Sequence, residues 1–194
     1  MTIVWYLFSR LILLGFFITF SAPIFANENK FIRLIAPLDE PRGLCIDIRG
    51  HRDRVKVNRP LVLHTCKRGI WNLDEQFDVN AFKMGLLKMP AYRVCAQRAH
   101  GKQNQSIILG SCGNRSALWV FKDHRLKLAE QPKLCLTAGP GPSQLTRGGK
   151  RLPSRHVNRL LLLLACKSEL SERQKWKLTN ITVSYTHLTL PTKA

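Results

Sequence analysis

Six cysteines, at positions 45, 66, 95, 112, 135 and 166, constrain this chain more than any other feature. None forms a C-x-x-C pair, so a cysteine-held zinc cluster is not expected. An even count in an exported chain favours disulfides, and six cysteines allow 15 pairings. Local sequence selects among them. Three lie in alternating, strand-like contexts: Leu44-Cys45-Ile46-Asp47-Ile48, Val94-Cys95-Ala96-Gln97 and Leu134-Cys135-Leu136-Thr137. The other three close apolar runs ending at Cys66, Cys112 and Cys166, and each is followed by an aromatic residue, Phe77, Trp119 or Trp176. The order strand–Cys, loop, strand–Cys, loop, aromatic therefore occurs three times, with a period of roughly 40–50 residues that marks an internal repeat. The repeat predicts the bridges Cys45–Cys66, Cys95–Cys112 and Cys135–Cys166. Loops of this size make each bridge worth about 3–4 kcal/mol on chain entropy.

The rest of the sequence fits short strands. Runs at 31–36, 44–48, 61–65 and 75–79 form one set of four, runs at 86–89, 93–97, 107–110 and 118–122 a second, and runs at 125–128, 134–137, 160–165 and 175–178 a third. Pro, Gly and Asn separate them, the pattern of a closed all-β body. Leu160 to Leu164 is read as a buried strand, and Pro140 to Arg155 as an exposed insertion. Phe77, Trp119 and Trp176 are expected in the core, since a large ring under each repeat fills a small barrel. Both ends stand apart from this body. Residues 1–26 have the form of a secretory signal, with Arg10, an apolar run at 11–20 and Ile24-Phe25-Ala26 before the cleavage point; an uncleaved anchor is the alternative. Residues 183–194 look like a translated sequencing adapter rather than native protein. The length of 194 residues and an apolar content of 45% then leave one ordinary domain at 27–182 and exclude general disorder.

Leu44-Cys45-Ile46-Asp47-Ile48-Arg49 and Gln174-Lys175-Trp176 resemble the opening and the Gln-x-Trp signature of ricin-B-type lectin repeats. Glu75-Gln76-Phe77 and Ala117-Leu118-Trp119 are similar to weakened copies of that signature. The resemblance covers about 31–178 and implies a β-trefoil of three four-strand repeats. In that family a sugar pocket uses an acidic residue two places after the first Cys, an aromatic two places before the second, and polar residues opening the signature. The resemblance thus assigns carbohydrate binding to Asp47, His64, Asp74 and Glu75 in the first repeat. The corresponding residues of the second repeat (Gln97, Gly110, Ser116) and of the third (Thr137, Leu164, Arg173) imply degenerate pockets. A charged acceptor makes shorter and stronger bonds to hydroxyls than a neutral one, which suits Asp47 to its place.

Charge offers a second reading. Residues 27–182 hold 29 basic side chains against 12 acidic, a net +17. Arg49, His51, Arg52, Arg54, Lys56 and Arg59 crowd one loop; Arg147, Lys150, Arg151, Arg155, His156 and Arg159 crowd the insertion. Such clusters suit sulfated or carboxylated glycans and other polyanions, so the alternative is a polyanion-binding or inhibitory trefoil that works through these loops without a sugar pocket. Neither loop interleaves aromatics with its basic residues, which argues against a dedicated nucleic-acid platform. Catalysis finds no support. His51-Arg52-Asp53 resembles a kinase triplet, but its companion motifs are missing, and there is no G-x-S-x-G, H-E-x-x-H or P-loop. The sequence is therefore read as a secreted or periplasmic lectin-like binding protein, not an enzyme. It is expected to have no cofactor, no metal and no stable membrane insertion once the signal is removed.

Overall fold

The computed structural model describes residues 28–50, 52–69, 71–101, 105–113 and 117–180. Residues 1–26, read as a secretory signal, and 183–194, read as adapter-like, lie outside the described residues, as do His51 and Ser116. The strands are β1 (Asn29–Leu34), β2 (Leu44–Asp47), β3 (Val62–Thr65), β4 (Gln76–Asp78), β5 (Lys88–Met89), β6 (Val94–Arg98) and β7 (Ile107–Gly110). They continue as β8 (Trp119–Lys122), β9 (Arg125–Leu128), β10 (Gln131–Ala138), β11 (Gln144–Leu145), β12 (Val157–Ala165) and β13 (Trp176–Thr179). Each of the twelve expected runs overlaps one of these strands, and β11 falls in the insertion, outside all of them. The helices are single turns: α1 (Val79–Lys83), α2 (Arg147–Arg151) and α3 (Ser171–Gln174). Helices this short leave no amphipathic period to read, so no helical signal stands out among these residues.

All strand pairings are antiparallel, and most strands join one ten-stranded sheet in the order β13-β1-β2-β3-β12-β10-β9-β8, with β4 on β1 and β11 on β12. Strands β5, β6 and β7 form a second sheet. β1 is the junction. It pairs with β4 through Asn29 to Phe31, with β13 through Phe31 to Leu34, and with β2 at Arg33, so the first and last strands meet beside the first Cys-bearing strand, β2.

All three predicted disulfides are present: Cys45–Cys66, Cys95–Cys112 and Cys135–Cys166, with Cα separations of 4.9, 4.9 and 5.0 Å. Phe77, Trp119 and Trp176 are buried in one core with Ile32, Leu34, Ile46, Leu63, Leu87, Leu136 and Leu163. The Trp119 indole N–H donates to the Ala96 carbonyl (2.8 Å), and that of Trp176 donates to Leu136 (3.0 Å); each acceptor directly follows the first Cys of its pair. Phe77 fills the matching place without a donor. Buried indoles need such partners, and here the bond also fixes each ring to its own Cys-bearing strand.

The insertion is mostly exposed, as expected, but it is not all loop. It contains β11 and α2, with Thr146 capping Gly149 (2.8 Å). Arg159 holds its base by donating to Gly139 O (2.8 Å) and Asp39 Oδ1 (2.7 Å), while Arg42 donates to the carbonyls of Ser154 and Arg155. The Leu160 to Leu164 run is a strand, as expected, but only Leu161 and Leu163 enter the core, while Leu160 is exposed. A half-buried antiparallel strand needs apolar residues only at alternate positions, so this run carries more of them than its burial uses.

Candidate carbohydrate site at the first disulfide

The sequence places Asp47 on β2, His64 on β3, and Asp74 and Glu75 in a 3-10 turn, Leu73–Glu75, just before β4. The pairing of Cys45 with His64 and of Asp47 with Val62 sets the first two on adjacent strands. The fold thus brings all four residues together. It also adds a fifth, which the sequence reading missed. Lys67, next to Cys66, turns inward, and its ammonium lies 2.9 Å from Asp47 Oδ2 and 2.6 Å from Asp74 Oδ2. Its backbone N–H donates to Glu75 Oε2 (2.8 Å).

The carboxylates are not open to solvent. Asp47 is 2% exposed, Asp74 3% and Glu75 0%. Burial raises the Asp47 and Glu75 carboxyls, Glu75 to about 8, although Lys67 opposes both shifts. Burial alone would lower the Lys67 ammonium, but Asp47, Glu75 and Asp74 together raise it. His64 is lowered by burial; its Nδ1 lies 2.7 Å from the Thr65 carbonyl, and its ring meets the edge of His156 at 5.1 Å. Asp47 and Glu75 therefore sit behind the surface, and Asp74 is the member of the group that reaches a cleft.

That cleft, about 490 Å³, is framed by three single 3-10 turns, Arg52–Arg54, Leu73–Glu75 and Pro90–Tyr92. They supply Arg52, Asp53, Leu73, Asp74 and Tyr92, and Trp71 forms the open wall with half its surface exposed (51%). The Arg52 guanidinium lies 3.9 Å from the centroid of the Trp71 ring. Neither Trp71 nor Tyr92 belongs to the repeated Cys–aromatic pattern. The signal that could have found Trp71 is a large aromatic in a polar connecting segment, where no core position calls for it.

The basic residues separate into different places. Arg52 joins the Trp71 cleft. Arg49 lines a smaller cleft of about 280 Å³ against the insertion, with Arg159, Gln144 and Asn158. Arg54 is exposed, and Arg147, Lys150, Arg151 and Arg155 are exposed on and after α2, with no ion pair to a described carboxylate. In the second Cys-bearing segment, Gly110 offers no ring, and the Gln97 amide fills the space that a side chain there would take.

Solved structures share this arrangement of strands. The C-terminal domain of an earthworm lectin, a mutant in complex with 6'-sialyllactose, matches 78% of this chain and 97% of its own, with a TM-score of 0.51 and 12% identity. The β-trefoil lectin of Vibrio vulnificus hemolysin/cytolysin, with N-acetyl-D-lactosamine bound, matches 81% of this chain and 98% of its own (TM-score 0.53, 13% identity). The chain has the fold of these lectin domains. GalNAc-T7, solved with UDP, GalNAc and Mn2+, also matches 81% of this chain, over 23% of its own length (TM-score 0.51, 19% identity). No protein-family model and no curated protein sequence matches the chain. Among the described residues no helix is long and apolar enough to cross a membrane.

Proposed function

We propose that this chain is an exported, non-enzymatic carbohydrate-binding protein, a three-repeat β-trefoil whose first repeat carries the working pocket. The observation that carries the reading is the cleft in which Trp71 and Tyr92 stand beside Asp74. An exposed ring offers an apolar platform for the C–H face of a pyranose, while a fixed carboxylate accepts bonds from hydroxyls along its rim. The exposed Asp53 makes the direct contact, and Asp74 lines the floor with its carboxylate oxygens buried beside Lys67. Asp47, His64 and Glu75, the other residues of the proposed pocket, hold Asp74 and Lys67 in position from behind. The Arg52 guanidinium completes the rim, and a cleft of this volume suits one or two sugar rings. The likeness to lectin domains supports the reading at the level of fold, and three disulfides suit an oxidising compartment.

N-acetyl-D-lactosamine and 6'-sialyllactose, the sugars on the neighbouring folds, are the first probes for calorimetric titration. The account expects Trp71→Ala to weaken binding at least about tenfold, the scale of losing an interface aromatic. It expects raised salt to change the affinity little, because stacking and short hydrogen bonds are weakly screened. Binding that ignores Trp71→Ala and collapses with salt would transfer the function to the basic loops.

A further inference from the structure

The first and third Cys-bearing segments are built alike but filled differently. In β2 and β3, Cys45 pairs with His64; in β10 and β12, Cys135 pairs with Leu164. Asp47 and Thr137 each lie two residues beyond the first Cys. Glu75 and Gln174 each accept the N–H of the lysine after the second Cys, from Lys67 at 2.8 Å and from Lys167 at 3.1 Å. Asp47, His64 and Glu75 therefore occupy the places of Thr137, Leu164 and Gln174.

In the third segment these places form a closed, neutral network. The Gln174 amide donates to Thr137 Oγ1 (3.0 Å) and to the Ala165 carbonyl (2.8 Å). In the first segment three buried carboxylates face one lysine. Asp47 Oδ1 and Glu75 Oε1 have no hydrogen-bond partner. His64 Nδ1 stands 3.5 Å from Glu75 Oε1 and 3.7 Å from Asp47 Oδ2, and one ligand atom from each of the three residues lies within 4.8 Å of the others. With all three carboxylates ionised, the group keeps two negative charges after Lys67 is counted. Burial makes uncompensated charge expensive, and a dication cancels it.

We propose that Asp47, His64 and Glu75 form a buried binding site for a divalent cation of the zinc or manganese type, beside the Lys67 ammonium. One imidazole with two carboxylates is a donor set that such ions accept, whereas Ca2+ and Mg2+ prefer oxygen alone. Bonds of about 2.1 Å in a tetrahedron put neighbouring ligand atoms about 3.4 Å apart. The two His64 distances are already within a few tenths of an ångström of that value. Ligation through Nδ1 requires the proton on Nε2 and frees the Thr65 carbonyl. This site stands on its own geometry and does not depend on sugar binding.

The test uses the full disulfide-bonded chain, stripped with a chelator and titrated with Zn2+ against a fluorescent chelator, with metal content measured on the purified complex. One zinc ion per chain is expected. Glu75→Gln installs the residue of the third segment, so it should fold with its disulfides intact, yet lose at least about a hundredfold in zinc affinity. His64→Leu, also a third-segment residue, should lose zinc similarly. No stoichiometric zinc, or zinc bound equally by both variants, would overturn the proposal. Because no sugar enters the measurement, either outcome leaves the carbohydrate reading to its own test.

Discussion

Lys67 is the residue on which the first segment turns. It is 8% exposed and holds two carboxylates, so removing its charge leaves Asp47 and Asp74 buried without their partner. Stripping one partner from a buried ion pair costs about 3–5 kcal/mol. Lys67→Met should lower the denaturant stability of the chelator-treated protein by that order, and a loss below about 1 kcal/mol would contradict the geometry. The acidic members of the site were legible in the sequence, because their offsets from Cys45 and the Gln-x-Trp-like segment mark them. Their burial was not. Whether a carboxylate faces water or a lysine depends on where the Lys67 stem runs, and a lysine after a half-cystine looks like any surface lysine. Trp71 escaped for a different reason: nothing in a threefold repeat points to a residue found in only one copy.

At the scale of elements, the insertion is the main departure from the reading. Pro, Gly and Arg suggest an exposed loop, yet the segment holds β11 and α2 and is clipped to the body at Asp39, which accepts from the Ser143 backbone and from Arg159. These bonds exist only between elements distant in sequence, so no local pattern announces them. Burial alone would raise the Asp39 carboxyl, but the Ser143 N–H, Arg159 and the Ser143 hydroxyl outweigh it and hold the group at about 2, below its ordinary 3.8. A carboxyl lowered by folding stabilises the fold above its unfolded value and loses that contribution as pH falls through its folded one. The melting temperature of the native chain should therefore exceed that of Asp39→Asn near neutrality, and the gap should close as pH falls from about 4 towards 2. A gap constant across that range would show that Asp39 does not hold the clip through its charge.

Across the whole molecule, the three disulfides and the three buried rings were legible because both lie in local, repeated sequence. The closure of β1 on β4 and β13 was not, since it joins residues about 50 to 150 positions apart whose sequences carry no mark of each other. The indole bonds suggest how the rings share the load. Trp176→Phe keeps an apolar ring but leaves the Leu136 carbonyl without its donor, at about 1–3 kcal/mol. Trp176→Ala should cost about 3–5 kcal/mol through the cavity it opens. Chemical denaturation of both variants measures the two contributions, and a Trp176→Phe variant as stable as the native chain would mean that the hydrogen bond contributes nothing. Amide and indole NMR shifts of the labelled protein, followed while oligosaccharides are titrated in at high salt, test the carbohydrate account most directly. The account predicts that perturbations centre on Trp71, Asp74 and Tyr92; perturbations confined to 147–155, or none across a broad glycan panel, would contradict it.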